Sequence, residues 1–443
     1  MSIMPTIALP SASPAVPAPA SLDAPLGIYL HVPFCAHVCP YCDFNTYAGQ
    51  GGLIPRYVDA LEREIARQGG ALGGRDAATI FFGGGTPSLL SPSDIGRLVR
   101  ACRGAFAVAA DAEVTLEANP NGVDPAYFAG LLEAGVNRVS LGVQTQQRRG
   151  LRVLGRQHEA TDAAAAFRAA RDAGFANLSL DLIFGWPGQT PDGWVADLDT
   201  VLGWPGSAGG PDGPEHLSLY SLIVEPGTPM ADAVARGILA VPDDDATADL
   251  YEAAIARMAD AGYVHYEVAN WAREPGLASR HNLGYWRNGD YLGLGAGAHG
   301  HLAGTSPALP GARRMQHLLP ATWVAAVERG DDPTSNTEAI PPATAIGETM
   351  LLGLRLLRQG VAADAFLARH GIALDALYGA TIAELAAKGL VERTPGGGVR
   401  LTSRGLLLAN DVCAEFLDPA LPETAVLLPG TERTLAVDVG SLA

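Results

Sequence analysis

The sequence predicts an α/β protein: a parallel barrel or partial barrel of six βα units, followed by a small C-terminal helical, winged-helix-like domain. Two observations carry this. From residue 26 onward, short apolar runs rich in β-branched residues alternate with helical patterns. After residue 342, helical patterns are followed by a hairpin signature. The 443 residues are 48% hydrophobic and 17% charged, enough to bury a large core and a smaller one.

The candidate strands are Gly27–Val32, Thr79–Phe82, Val114–Glu117, Arg138–Val143, Leu178–Phe184 and Leu217–Val224. Pro55–Gln68 places Val58, Leu61 and Ile65 on one helical face. Ser91-Pro-Ser-Asp94 has the form of a capping box with proline at the first helical position, and Asp124-Pro125 and Thr190-Pro191 open helices in the same way. Such alternation gives a parallel sheet whose chemistry collects at the carboxyl ends of its strands. Asp243–Gly262 reads as a further helix. Residues 263–300, rich in Tyr, Trp, Gly and His, are expected to be irregular, and Gly304–Pro342 to be a mixed connecting stretch. Helices are expected over 344–358, 363–370 and 374–388, then a hairpin of Leu390–Arg393 and Val399–Thr402, then one helix over Ser403–Leu417.

This divides the chain into a disordered leader (1–24), the barrel core (25–240), an accessory connecting segment (241–342), the C-terminal domain (343–417) and a flexible tail (418–443). The leader is rich in Ala, Pro and Ser, and no Lys or Arg precedes Arg56, so it reads neither as a secretory signal nor as a transit peptide. A net charge of -17 argues against nucleic acid as a partner. The C-terminal domain matches its Lys and Arg with Asp and Glu and has no basic stripe, which favours a packing or lid role. No run approaches the ~18 apolar residues of a spanning helix.

Five cysteines, three of them within one loop, do not form a disulfide framework and suit a reducing compartment. Cys102 and Cys413 fall in helical patterns and read as small buried residues. Cys35, Cys39 and Cys42 stand in Cys-Ala-His-Val-Cys-Pro-Tyr-Cys. Thiolates select zinc or iron–sulfur. On spacing alone, a closed zinc site with His31 or His37 as fourth ligand competes with an iron–sulfur cluster that keeps one iron open.

The surroundings of this loop carry a resemblance. Tyr29-x-His31-x-Pro33-Phe34 before it, and Pro40-Tyr41-Cys42-Asp43-Phe44 within and after it, resemble the radical S-adenosylmethionine (SAM) superfamily. The closer likeness is to the branch that holds the oxygen-independent coproporphyrinogen III dehydrogenase HemN and the heme chaperone HemW. It spans residues 26–417. It implies a radical SAM partial (β/α)6 barrel, a 4Fe-4S cluster on Cys35, Cys39 and Cys42, and SAM on the open iron. Gly83-Gly84-Gly85-Thr86-Pro87 then stands where the superfamily has a glycine motif, whose bare backbone lets a ligand approach. Tyr29, Tyr41, Gly84, Gly85, Thr86, Glu117, Gln144, Arg156 and Asp181 match the branch's SAM-contacting positions. No catalytic residue is assigned.

Two departures separate the branch's members. Phe44 stands where the coproporphyrinogen dehydrogenase has a further Cys, and only a Pro/Ala-rich leader precedes the first strand; both point to the HemW-like subgroup. His281-Asn-Leu-Gly-Tyr285-Trp286 matches the HNxxYW motif which that subgroup is thought to use for heme. An imidazole ligates heme iron, and Tyr and Trp offer flat faces to the macrocycle; the competing reading is a packed aromatic turn with a hydrogen-bonded His. Gly293–His299 reads as a close-approach loop, with His299 as a weaker ligand candidate. The resemblance implies a cytoplasmic protein that binds cluster, SAM and heme and passes heme to an apo-protein, with an electron donor as further partner. Peripheral membrane contact and a homodimer are compatible with it. The alternative is an enzyme, an oxidative decarboxylase of coproporphyrinogen III; a tRNA-directed radical enzyme is a third reading, disfavoured by the acidic composition.

Overall fold

The structure is a computed structural model that describes residues 25–206 and 210–419. The leader, and the tail beyond residue 419, lie outside the described residues. Six parallel strands follow the expected order: β1 (Leu26–Val32), β2 (Asp76–Gly84), β3 (Ala107–Ala118), β4 (Arg138–Gln144), β5 (Leu178–Phe184) and β6 (His216–Ser221). Each pairs with its sequence neighbour. Helices α1 (Ile54–Ala71), α2 (Pro92–Ala105), α3 (Pro125–Glu133), α4 (Arg148–Val153), α5 (Ala160–Ala173) and α6 (Pro191–Leu202) connect them. The caps form as the sequence indicates: Ser91, Asp124 and Thr190 accept from the backbone N–H of Asp94, Tyr127 and Gly193.

The two faces of this sheet differ in chemistry. Ile28, Leu30, Ile80, Phe82, Val114, Leu116, Leu141, Leu180 and Leu217 join the helices in one core. The alternate positions point into the barrel, and many are polar and buried: His31, Thr79, Glu113, Thr115, Arg138, Ser140, Ser179, His216 and Ser218. Parallel strands covered on both sides are ordinarily near-continuous apolar runs. A polar inner face therefore marks the interior as the working volume.

One expectation is corrected first. The segment 263–300 is not irregular. After α7 (Pro229–Ala235) and α8 (Asp244–Asp260) come β7 (Val264–Glu267), β8 (Asn270–Ala272), α9 (Arg280–Trp286) and β9 (Tyr291–Leu294). The connecting stretch likewise contains β10 (His299–Ser306), β11 (Leu309–Gln316), α10 (Pro320–Arg329) and β12 (Thr334–Ala339). They extend one twelve-stranded sheet in the order β12-β11-β10-β9-β1-β2-β3-β4-β5-β6-β8-β7. Strands of three or four residues are too short to show a period of two, which hid them. The glycines around 293–297 do serve close approach: a Cβ on Gly295 would stand 2.6 Å from the carbonyl oxygen of His31.

In the C-terminal part, α11 (Pro342–Leu354), α12 (Ala363–His370) and α13 (Leu374–Ala387) precede the hairpin Val391–Arg393/Val399–Leu401. A second core gathers Met350, Leu354, Phe366, Tyr378, Ile382 and Phe416. The single helix expected over 403–417 is two, Ser403–Leu407 and Ala409–Ala414, because Leu408 leaves helical geometry (φ -116°, ψ 29°).

Candidate functional site: the thiol-lined cavity

The loop after β1 is pinned at both ends. Phe34–Cys35 pairs with Tyr47–Ala48. The N–H groups of Gly85 and Thr86 donate to the carbonyls of Val32 and Phe34 (2.9 and 2.8 Å), tying the loop to the glycine turn after β2. Asn45 donates to the carbonyls of Ala296 and Leu318 (3.1 and 3.0 Å).

Cys35, Cys39 and Cys42 line one cavity of about 320 Å³. Tyr41, Gly84, Gly85, Thr86, Glu117, Gln144, Arg156, Asp181 and, from β6, Tyr220 line the same cavity, so six strand ends converge on it. A polar belt joins two of the thiols. Thr86 Oγ1 donates to Cys35 Sγ (3.5 Å), Asn119 Nδ2 donates to Thr86 Oγ1 (3.2 Å), Arg156 Nη2 donates to Asn119 Oδ1, and Arg156 Nη1 donates to Cys39 Sγ (3.7 Å). Arg156 also donates to the Gly142 carbonyl (3.0 Å).

At the acidic end, Glu117 accepts from the Gly84 N–H (3.3 Å). Burial, reinforced by Asp181, pushes its carboxyl up to about 8. Burial also raises Asp181, which accepts from Ser140 Oγ (3.0 and 3.1 Å). Gln144 adopts φ +65°, beside an irregularity in the β4–β5 register. A left-handed glutamine costs free energy and concentrates at sites where geometry matters more than local comfort. Gly84 (φ +108°) admits no Cβ, which would strike the His31 ring.

Tyr29 is not brought to the cavity. It stands one level deeper in the barrel, bonded to His31 Nδ1 (2.9 Å) and stacked on Phe81. Nor does the His281 motif reach it. Helix α9 sits at the opposite, amino-terminal end of the strands, where Glu113 of β3 accepts from the N–H groups of Arg280 and His281 (3.0 Å each). His281 Nδ1 bonds with Thr79 Oγ1 and Nε2 with Tyr285 Oη, both at 2.7 Å. Burial pushes this imidazole down to about 3. In this arrangement it is the packed, hydrogen-bonded histidine of the competing reading and offers no free ring nitrogen to iron. Trp286 stands apart, under the Arg355 guanidinium (4.4 Å to the ring centre). His299 is exposed on β10.

Sequence reasoning passed over Asn119, Ser140, Ser218 and Tyr220. The signal was available in the alternation of Ser140, Gly142 and Gln144 on β4 and of Ser218 and Tyr220 on β6.

The donor set fits an iron–sulfur cluster. Both ring nitrogens of His31 are engaged, by Tyr29 and by the Asn45 carbonyl, which removes it as a fourth ligand of a zinc site, whereas His37, the other candidate, lines the same cavity as the thiols. Among the described residues, no group of three His, Cys, Asp or Glu is compact enough to hold a single metal ion. Three soft thiols spread around one end of a cavity instead suit a cage of several irons.

This barrel and thiol-lined cavity define a radical SAM protein. The Radical SAM superfamily signature matches residues 29–201, and that of the HemN C-terminal domain matches 340–408. The chain is 38% identical over 390 residues to "Heme chaperone HemW" of Bacillus subtilis, covering 88% of this chain and 98% of that one. It is 41% identical over 396 residues to "Heme chaperone HemW" of Mycobacterium tuberculosis, covering 89% and 95%. The chain belongs to the HemW family. The fold is also that of the solved coproporphyrinogen III oxidase (HemN) of Escherichia coli, with a TM-score of 0.72, 24% identity, and 89% and 91% of the two chains covered. Membership in the superfamily implies a 4Fe-4S cluster and SAM as cofactors.

Proposed function

We propose that this chain holds a 4Fe-4S cluster on Cys35, Cys39 and Cys42, binds SAM beside it, binds heme, and delivers heme to an apo-protein in the cytoplasm. The observation that carries the heme part is full-length similarity to relatives named heme chaperone HemW. Phe44, exposed beside Cys42, supports the same reading against a porphyrinogen-oxidising enzyme.

The cluster, when bound, supplies an electron to the sulfonium of SAM. The chain's own residues do the rest. The Gly83–Thr86 turn presents bare backbone to the amino-acid end. Glu117 and Asp181 offer acceptors to an ammonium or a ribose hydroxyl. Arg156 holds Asn119 and Cys39 in register. Heme then belongs at α9 and its surroundings, at the far end of the barrel from the cysteines; ligation by His281 requires release of Thr79 or Tyr285. An electron donor and a heme acceptor are the partners this reading needs. Among the described residues no helix is long and apolar enough to cross a membrane.

The test is anaerobic reconstitution with iron, sulfide and SAM, followed by heme titration and incubation with coproporphyrinogen III. The reading expects a stable heme complex, heme transfer to an apo-acceptor, and no protoporphyrinogen. Formation of protoporphyrinogen as the main outcome overturns it in favour of the enzyme.

A further inference from the structure

A second, small cavity lies where α9 meets the C-terminal domain. It measures about 30 Å³ and is lined by Trp286, Leu351, Arg355, Leu401, Asn410 and Cys413, among others. That volume admits a carboxylate group and excludes a macrocycle. Leu351, Leu401 and Cys413 of its walls are buried, Trp286 and Arg355 are half-buried, and Asn410 is exposed and marks the opening. Two donors in this lining have no partner: Trp286 Nε1 and Arg355 Nε are both shielded from solvent and unbonded. Buried polar groups are nearly always satisfied, so two orphan donors on one small cavity call for an acceptor.

Arg355 spends its guanidinium over the Trp286 ring and forms no ion pair among the described residues. Glu267 lies close enough to feel its charge but forms no ion pair with it: Oε1 accepts from Asn270 and from the Ala269 N–H, and Oε2 is left without a hydrogen-bond partner. Two more arginines nearby also lack a carboxylate partner among the described residues. Arg287 donates to Gln359 (3.3 Å), and Arg369 donates to the carbonyls of Arg287 and Asn288 (3.4 and 2.6 Å). Burial pushes both guanidinium groups down from their ordinary range, Arg287 with no opposing charge and Arg369 partly offset by Asp290. In a chain of net charge -17, a guanidinium that forms no ion pair among the described residues, set over an aromatic ring whose own N–H is unbonded, forms an anion receptor.

We propose that this cavity is the carboxylate pocket of the heme site: Arg355 and the Trp286 indole N–H, with Asn410 at the rim, take one propionate of the macrocycle. The inference rests on the heme reading above and adds to it the end of the ligand that the protein recognises. A charged, hydrogen-bonded carboxylate satisfies both orphan donors, whereas a water in the cavity would leave the positive charge in place.

The test is a Soret titration of the full-length protein with heme and with heme dimethyl ester, whose propionates are uncharged. The wild type is expected to bind heme at least tenfold more tightly than the ester. Arg355→Leu should weaken heme at least tenfold and leave the ester unchanged. Equal affinities in the wild type, as expected if only water fills the cavity, overturn the proposal and leave the heme reading standing. So does an Arg355→Leu effect of the same size on both ligands. If Arg355→Leu does not fold, Trp286→Phe decides: it keeps the ring, loses the N–H, and should weaken heme several-fold but not the ester. A wild type that binds neither macrocycle overturns the heme reading itself, and this pocket with it.

Discussion

Arg156 reaches from the segment after β4 to Cys39 Sγ at 3.7 Å, and the same guanidinium grips Asn119, whose amide holds Thr86 and through it Cys35. One side chain thus sets the separation of two of the three thiols. A guanidinium presents several donors in a fixed plane, and an ammonium cannot reproduce that fork. Arg156→Lys is therefore expected to keep the fold but to lower SAM affinity at least tenfold, a loss of about 1.4 kcal/mol or more, measured by equilibrium dialysis on reconstituted protein. Unchanged affinity would remove Arg156 from the cofactor site.

Glu117 couples function to stability. Its carboxyl is pushed up to about 8 by burial first and by Asp181 second, above the ordinary 4.5. The folded state then holds a proton that the unfolded chain releases, so the stability it contributes is complete below 4.5 and is lost as pH rises through 8. Glu117→Gln should leave stability near pH 5 almost unchanged, raise it near pH 8, and weaken SAM binding. Urea midpoints at the two pH values check this; an equal shift at both contradicts it.

Several buried imidazoles work in the opposite sense. Burial lowers His31, His158 and His265 to about 4 and His281 to about 3, from 6.5. Below 6.5 the unfolded chain binds protons that the folded chain refuses, so stability falls as pH drops toward 4. The urea midpoint should decline steeply between pH 7 and pH 5. A rise over that interval would contradict the account.

His281 lies flat against Phe81, 4.9 Å between ring centres, with both nitrogens bonded. Its replacement by Ala leaves a cavity and strands two hydroxyls. The expected cost is about 2–4 kcal/mol, read from urea unfolding. A change below about 0.5 kcal/mol, the range of ordinary surface substitutions, would mean that this histidine is not the barrel plug described here.

The barrel was legible because its strands carry an apolar face at every second residue, and because Ser91, Asp124 and Thr190 announce their helices. The site was legible through the cysteine spacing and the resemblance of its surroundings to a known superfamily; the polar residues near the strand ends, taken singly, read as structural. Tyr29 shows the limit. It shares the inner face, but sequence does not say how deep along the barrel a side chain stands. Strands β7, β8 and β9 were hidden because three or four residues cannot establish alternation, and their pairing is fixed by partners far away in the chain. The orphan donors of Trp286 and Arg355 belong to two segments some seventy residues apart, and only the folded chain brings them together.

The central claim is that Cys35, Cys39 and Cys42 carry an iron–sulfur cage. The most direct measurement is the metal and acid-labile sulfide content of protein purified and reconstituted without air, compared with Cys39→Ala. The account expects about four irons and about four sulfides per chain, with most of both lost in the variant. A single zinc per chain and no sulfide, or full iron retained by Cys39→Ala, would contradict it.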